Sequence, residues 1–359
     1  MMMKNEEFNF MDVFSKGICV FLMGVLSLSK AQKINEIIKQ NGIFRKDTVF
    51  TVISDSKETY LPVTIIKGKE KGPIFSIVAG IHGYEYPPII AVQELLNEIK
   101  PEQVKGTLII IPIANVEAFQ KRTPFINPLD NKNLNNAFPG SPNGTPTDQI
   151  ANIITKEIIS NSTIFLDIHG GDANEDLLPF VCYYDRKDSP ENTKLAHDLS
   201  IRSQIDHIVS YPYNLTSTEP AKYAFKQATQ QGITALSIEA GKLGTVQKEN
   251  VDMIKTVVYN MLESSGNYVK SKPKIKTERK PTLFDRQDYI KVPETGIFYS
   301  ELKSGDRVTK NQVLGYITDE FGKKKQDIIS KANGIILYKV GTPPVNKDET
   351  LFCIGYSEK

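Results

Sequence analysis

Residues 77–85 read I-V-A-G-I-H-G-Y-E. An apolar run ends there in the imidazole of His82 and, three positions later, the carboxylate of Glu85, with glycine on both sides of the histidine. Continuous apolar runs suit strands buried on both faces, as in parallel sheets. Ligands of open α/β sheets gather beyond the carboxyl ends of such strands, where loops converge without interrupting the sheet. The stretch therefore predicts a central strand that ends in half a metal site. The other half must come from elsewhere, and L-D-I-H-G-G at residues 166–171 offers His169 in the same setting.

Outward from that strand, the chain alternates strand and helix signals. On the N-terminal side, residues 33–40 show helical apolar spacing, and residues 48–54 and 60–67 alternate as antiparallel strands joined by D-S-K-E. On the C-terminal side, Pro87 and Pro88 suit the first turn of a helix running to about residue 99, followed by a buried strand at 107–113. Residues 119–140 have little periodicity and many turn formers; a loop of that length in a compact domain is commonly functional. A helix over 147–159 capped by Thr145 or Thr147, a strand at 163–169 and a strand at 177–184 come next. Then follow a helix over 193–210 that contains His197 and His207, a helix over 221–231, a strand at 234–239 and a helix over 251–262. This pattern predicts an α/β fold: a mixed, mainly parallel sheet flanked by helices on both faces. Composition changes near Asn267. The basic run K-S-K-P-K-I-K-T-E-R-K at 270–280 reads as a solvated connection, and short strands between Gly and Asp turns predict a small C-terminal all-β barrel-like domain.

The global numbers set limits. The chain has 359 residues, 40% hydrophobic, which is enough for one large domain and a small one. A net charge of +2 gives no case for nucleic acid. Three cysteines without ligand spacing make neither a disulfide framework nor a metal site. The apolar run 17–28, followed by S-K-A, reads as the core of a secretory signal with cleavage after Ala31, although Glu6, Glu7 and Asp12 dilute the positive start. The expected layout is a signal peptide at 1–31, the α/β domain carrying the site at 32–268, and a linker with the β domain at 269–359. Export or a periplasmic location follows if the segment is a signal, and a cytoplasmic one if it is a buried helix. No other segment reads as a membrane span. The sequence is compatible with a homo-oligomer and does not demand one.

Catalytic zinc sites commonly use three protein ligands, two histidines and a glutamate among them, and keep one position for water. His82, Glu85 and His169 supply that set. Hydrolysis also needs a group that takes and returns a proton, and Glu239, closing the strand S-I-E-A-G, is the candidate; the alternative is an ordinary solvent-facing strand end. Asp167, two before His169, suits an outer partner that orients a ligating imidazole, the alternative being local capping. Arg122 and the polar residues 127–136 are placed to grip substrate or a developing oxyanion.

Together these residues resemble the succinylglutamate desuccinylase and aspartoacylase family, zinc-dependent deacylases related in fold to zinc carboxypeptidases. The resemblance rests on five ordered motifs. They are G-I-H-G-Y-E at 80–85; Asn115, Ala118, Phe119 and Arg122; Asp130, Asn133, Leu134, Asn135 and F-P-G at 138–140; D-I-H at 167–169; and Glu239. It implies a zinc-carboxypeptidase-like fold with one Zn2+ per chain held by His82, Glu85 and His169. It further implies Glu239 as general base and then acid, Arg122 on the oxyanion, and Asn135 in the substrate pocket. One departure bears on substrate: Asn136 stands where the family has an arginine that binds a substrate carboxylate, and an amide offers no charged fork. Lys132 or Lys242 is a candidate replacement.

The expected activity is amide hydrolysis of an N-acyl amino acid or small peptide. A carboxypeptidase or cell-wall peptide amidase is the alternative within enzymes, and a nonhydrolytic small-ligand binding protein the alternative outside them. The β module also resembles biotinyl and lipoyl carrier domains, but its region T-D-E-F-G-K-K-K-Q lacks their modified-lysine motif.

Overall fold

The computed structural model describes residues 33–54, 56–269 and 280–357. The N-terminal apolar run with its cleavage position, and the basic connection except Lys280, lie outside the described residues. The ten N-terminal strands are β1 (Phe44–Ser54), β2 (Lys57–Lys67), β3 (Glu70–Ala79), β4 (Lys105–Ile111), β5 (Ile164–His169), β6 (Glu175–Leu177), β7 (Phe180–Asp185), β8 (His207–Pro212), β9 (Thr234–Glu239) and β10 (Thr282–Phe284). All but β6 join one nine-stranded sheet in the order β1-β2-β4-β3-β5-β9-β7-β8-β10. Its centre, β4-β3-β5-β9, is parallel; β1 and β2 extend it antiparallel on one side, and β7 runs antiparallel to β9 on the other.

The parallel centre follows from composition. Every residue of β5 is buried, because strand alternation sends neighbours to opposite faces and both faces are covered. Ile77, Leu166 and Leu236 pack against α2 (Tyr86–Glu98), α5 (Pro190–Arg202) and α7 (Lys248–Ser264). Their neighbours Val78, Phe165 and Ala235 face the other way, toward α1 (Ile34–Ile38), α4 (Pro146–Ile153) and α6 (Ala224–Gln230). The expected mixed sheet between two helical layers is therefore present.

The C-terminal β-rich subdomain comprises β11 (Arg286–Lys291), β12 (Gly296–Tyr299), β13 (Arg307–Val308), β14 (Val313–Thr318), β15 (Lys324–Ile329), β16 (Gly334–Val340), β17 (Pro344–Val345) and β18 (Thr350–Tyr356). They form two sheets around a core that includes Phe298, Ile317, Val340, Phe352 and Ile354. One of those sheets recruits β6 from the α/β part, which pairs antiparallel with β16.

Several element expectations are corrected. Residues 177–184 are not one strand: the chain leaves β6 at Leu178 and Pro179, because proline cannot donate to a ladder. The helix expected over 193–210 ends at Arg202; Gln204 turns left-handed, φ 66°, and β8 begins at His207. The aperiodic stretch expected over 119–140 begins inside a short helix, α3 (Val116–Lys121), whose N-cap Asn115 accepts Ala118 N–H at 3.3 Å. No helix of the described residues is long and apolar enough to cross a membrane.

Candidate metal centre

Strand order brings the site together. β5 lies between β3 and β9, with Ala79 opposite Ile168 and His169 opposite Glu239. Three carboxyl ends thus stand side by side, and each carries or leads into a residue singled out from the sequence. His82 follows the end of β3, and Glu85 is the N-cap position of α2, with Pro87 and Pro88 in the first turn. Two glycines allow this crowding. A Cβ on Gly83 would sit 2.4 Å from the carbonyl of Ala118, so α3 rests directly on the His82–Glu85 turn, and one on Gly170 would sit 2.6 Å from the carbonyl of Ala240.

His82, Glu85 and His169 are buried, and a possible ligand atom from each lies within 4.8 Å of the other two. Both imidazoles aim Nδ1 at the same carboxylate oxygen, Glu85 Oε1, at 2.7 Å from His82 and 3.0 Å from His169. Their other nitrogens face outer acceptors: His82 Nε2 lies 3.1 Å from Asn133 Oδ1, and His169 Nε2 lies 3.1 Å from Asp167 Oδ2. Asn133 Oδ1 is within hydrogen-bond distance of His82 Nε2, whereas the Asp167 carboxylate stands beside His169 Nε2 without a hydrogen bond, both its oxygens buried and unpartnered; outer groups in such places orient metal-ligating histidines.

The electrostatics have the same sense. Burial alone would raise Glu85, but His169 and then His82 outweigh it and hold the carboxyl down to about 2. Burial disfavours the His82 charge, yet Glu85 raises its pKa; in His169 the Asp167 and Glu85 carboxylates overcome the same burial. The cluster thus holds positive charge at its centre. Glu85 Oε2 is buried without a partner, and a buried carboxylate oxygen left so calls for a cation or donor. The donor set fits a divalent metal.

Around the cluster lie more carboxylates than ligation requires. Glu239, half-buried, accepts Ser237 Oγ–H at 3.3 Å. Burial first, then Glu85, Glu175 and Asp167, push its carboxyl up to about 8 against the opposing pull of His169. Glu175, on β6, is pushed up to about 7, chiefly by burial, with His82 opposing. Asp172, fully buried, accepts Phe125 N–H at 3.0 Å. Sequence reasoning names Asn133 only as a motif residue, without a role, and passes over Asp172 and Glu175. The last two lie in G-G-D-A-N-E directly after His169, a run read only as a turn.

The residues expected in the substrate pocket come from the segment after α3. Arg122 ends that helix in a left-handed conformation, φ 54°, and is exposed; its guanidinium has no hydrogen bond or ion pair among the described residues. Asn135 N–H donates to Asn133 Oδ1 at 2.7 Å, the same oxygen that faces His82, while Asn135 Oδ1 is buried and unpartnered. Asn136 is exposed on the same turn. Neither candidate replacement cation is free: Lys132 Nζ pairs with Asp148 at 2.6 Å and Lys242 Nζ with Asp176 at 3.4 Å.

Residues 71–265 match the family model of the succinylglutamate desuccinylase/aspartoacylase catalytic domain. The N-alpha-acetyl-L-2,4-diaminobutyric acid deacetylase of Halomonas elongata is 28% identical over 305 residues, covering 82% of this chain and 85% of that protein. Two solved structures share the fold at 21% identity. A succinylglutamate desuccinylase/aspartoacylase from Rhodobacter sphaeroides has a TM-score of 0.77 over 87% of this chain and 96% of its own. The product-bound ectoine utilization protein EutE (DoeB) from Ruegeria pomeroyi has a TM-score of 0.78 over 89% and 97%.

Proposed function

The chain belongs to the succinylglutamate desuccinylase/aspartoacylase family of metal-dependent deacylases, and from that premise we propose a zinc enzyme that hydrolyses the amide bond of a small N-acyl amino acid. The observation that carries this reading is the convergence of His82 Nδ1, His169 Nδ1 and Glu85 beside Glu239, the register neighbour of His169. Two imidazoles and one carboxylate are a donor set that zinc takes in hydrolytic sites.

When bound, the metal supplies Lewis acidity, which acidifies a water and polarises the amide carbonyl. The remaining work falls to side chains. Glu239 takes the proton from water as it attacks the carbonyl carbon, and returns it to the leaving nitrogen as the C–N bond breaks. Its partial burial keeps a carboxyl able to hold that proton, and a neighbouring cation draws it toward the ionised form at neutral pH. Arg122, exposed and unpaired, is available to neutralise charge that develops on the carbonyl oxygen. Asp167 and Asn133 stand beside the two Nε2 atoms, where they favour the orientation that presents Nδ1. Asn135 contributes an unused acceptor to the pocket.

For the substrate, we favour an N-acyl amino acid whose side chain is not a second carboxylate. Asn136 lacks the charge for one, and Lys132 and Lys242 are committed to Asp148 and Asp176. An N-acetylated diamino acid, the compound named for the Halomonas elongata relative, meets that description. Export is a separate proposal that rests on the apolar run 17–28 alone.

The test begins with metal analysis of the purified protein and continues with chelation, zinc restoration and a panel of N-acetyl and N-succinyl amino acids. We expect about one zinc per chain and hydrolysis that disappears and returns with the metal. A protein that takes up no zinc at micromolar concentration and cleaves nothing in the panel would falsify the reading.

A further inference from the structure

We propose that Asp172 is a positioning residue that pins the segment carrying Arg122 over the metal centre. Asp172 lies three residues beyond His169 and is 0% exposed. Its Oδ2 accepts Phe125 N–H at 3.0 Å and its Oδ1 accepts Ala173 N–H at 2.5 Å, while its own N–H donates to Glu175 Oε2 at 2.9 Å. A buried carboxylate is unfavourable unless it is well satisfied. Here its long-range partner is the backbone of Phe125, 47 positions away in the chain.

What it holds is unusual. Arg122 and Phe125 both adopt left-handed backbone conformations, φ 54° and 59°, which side-chain-bearing residues rarely take. Such conformations persist where the surroundings over-determine them. Three contacts do so: Arg122 N–H donates to Phe119 O at 3.3 Å and Thr123 N–H to Ala118 O at 2.9 Å at the end of α3, and Phe125 N–H donates to Asp172 beyond it. Arg122 sits at the C-cap of α3, immediately before the segment that runs on to the Asp172 bond, and has no side-chain bond to place it, so the backbone sets where its guanidinium reaches. The same pin seats the Phe125 ring edge-on against His82, with centroids 5.8 Å apart. Tyr86 lies in the electrostatic reach of both Arg122 and Asp172. The strand-end half of the site, through the His169 loop, thereby fixes the half that comes from the segment after α3.

The catalytic part of this inference rests on the amide-hydrolase reading; the structural part does not, and the experiment separates them. Asp172→Ala and Asp172→Asn are compared with the parent zinc-loaded protein by hydrogen-exchange mass spectrometry, metal content and steady-state kinetics. In Asp172→Ala, amide exchange over residues 122–127 should rise about 10-fold or more, while exchange over β9 and the zinc content stay unchanged. kcat should fall about 30-fold with KM within about 3-fold, Asp172→Asn should fall between it and the parent, and adding Asp172→Ala to Arg122→Ala should cost less than about 3-fold more. A carboxylate that only supported folding would lower stability without that split and would act independently of Arg122. Unchanged exchange over 122–127, or losses from Asp172→Ala and Arg122→Ala that multiply, would overturn the proposal. If the parent cleaves no substrate, the hydrolase reading falls, and the exchange result still upholds or overturns the pin.

Discussion

The two halves of this site are held by different forces. His82, Glu85, His169 and Glu239 stand on or just past β3, β5 and β9, where parallel hydrogen-bond register and burial on both faces leave little freedom. Arg122, Asn133, Asn135 and Asn136 stand on a turn-rich segment outside the sheet, held by side-chain bonds such as Asp172 to Phe125 and Asn133 to Asn135 and by short-range backbone bonds such as Asn127 N–H to Lys132 O. A register error in the first half would move whole strands, whereas a lost bond in the second would move one turn. On the proposed reading, the metal ligands and the proton carrier sit on the stiff half, and Arg122 sits with the recognition residues on the half that can change by substitution.

The largest effect that sharpens this contrast is expected from Glu239→Gln, which keeps shape and removes the proton acceptor. kcat should fall about 1000-fold with zinc content unchanged; a variant that turns over normally would remove Glu239 from the chemistry. The same variant has a signature in the metal-free protein. Its carboxyl is pushed up to about 8 from an ordinary 4.5, chiefly by burial. Below both values the group is protonated whether folded or unfolded and contributes nothing. Between them the folded state holds a proton that the unfolded state has released, so stability falls as pH rises, and the penalty is complete above the folded value. Urea midpoints of the chelated parent should therefore drop more between pH 5 and 8.5 than those of Glu239→Gln. After screening, the difference is on the order of 1–2 kcal/mol. Parallel pH profiles would show that Glu239 is not raised.

A smaller effect compares the outer partners of the two histidines. Asp167 is fully buried on β5 and brings a carboxyl group; Asn133 brings an amide and comes from the turn segment. Asp167→Asn should weaken zinc binding about 30-fold and Asn133→Ala about 5-fold in competition with a chromophoric chelator. Equal losses would break the distinction between a stiff and a soft half.

The same distinction governs what could be read from the sequence. Strand ends were legible because burial on both faces writes a continuous apolar run, and glycine beside histidine marks where the backbone must crowd. The strand at 234–239 closes on Glu239 as expected, and His82, Glu85 and His169 meet. Short elements were not legible. α3 is too brief for a helical period to emerge, and β6 owes its conformation to pairing with β16, far along the chain. β8 was absorbed into the preceding helix because I-D-H-I-V continues an apolar rhythm, and the left-handed turn at Gln204 separates them only in three dimensions. The role of Asn133, and Asp172 and Glu175 altogether, escape sequence reading for a related reason: what matters about them is a partner distant in sequence, and turn formers look alike until that partner is seen.

The smallest effect, and the one most specific to this chain, concerns Asn136. It is exposed on the turn that also presents Asn135, so Asn136→Arg should fold without repacking a core. An arginine there adds a charged, planar fork suited to a carboxylate. Because it would grip a part of the substrate that does not react, its energy should appear equally in ground and transition states. The expected result is a KM for N-acetylaspartate lowered about 5-fold at constant kcat, with N-acetylated diamino acids bound more weakly because their ammonium meets a like charge. If both KM values stay fixed, residue 136 does not face the substrate and the selectivity of the pocket lies elsewhere. If kcat changes instead, the turn reaches the reacting atoms, and the division between a stiff catalytic half and a soft recognition half fails at this position.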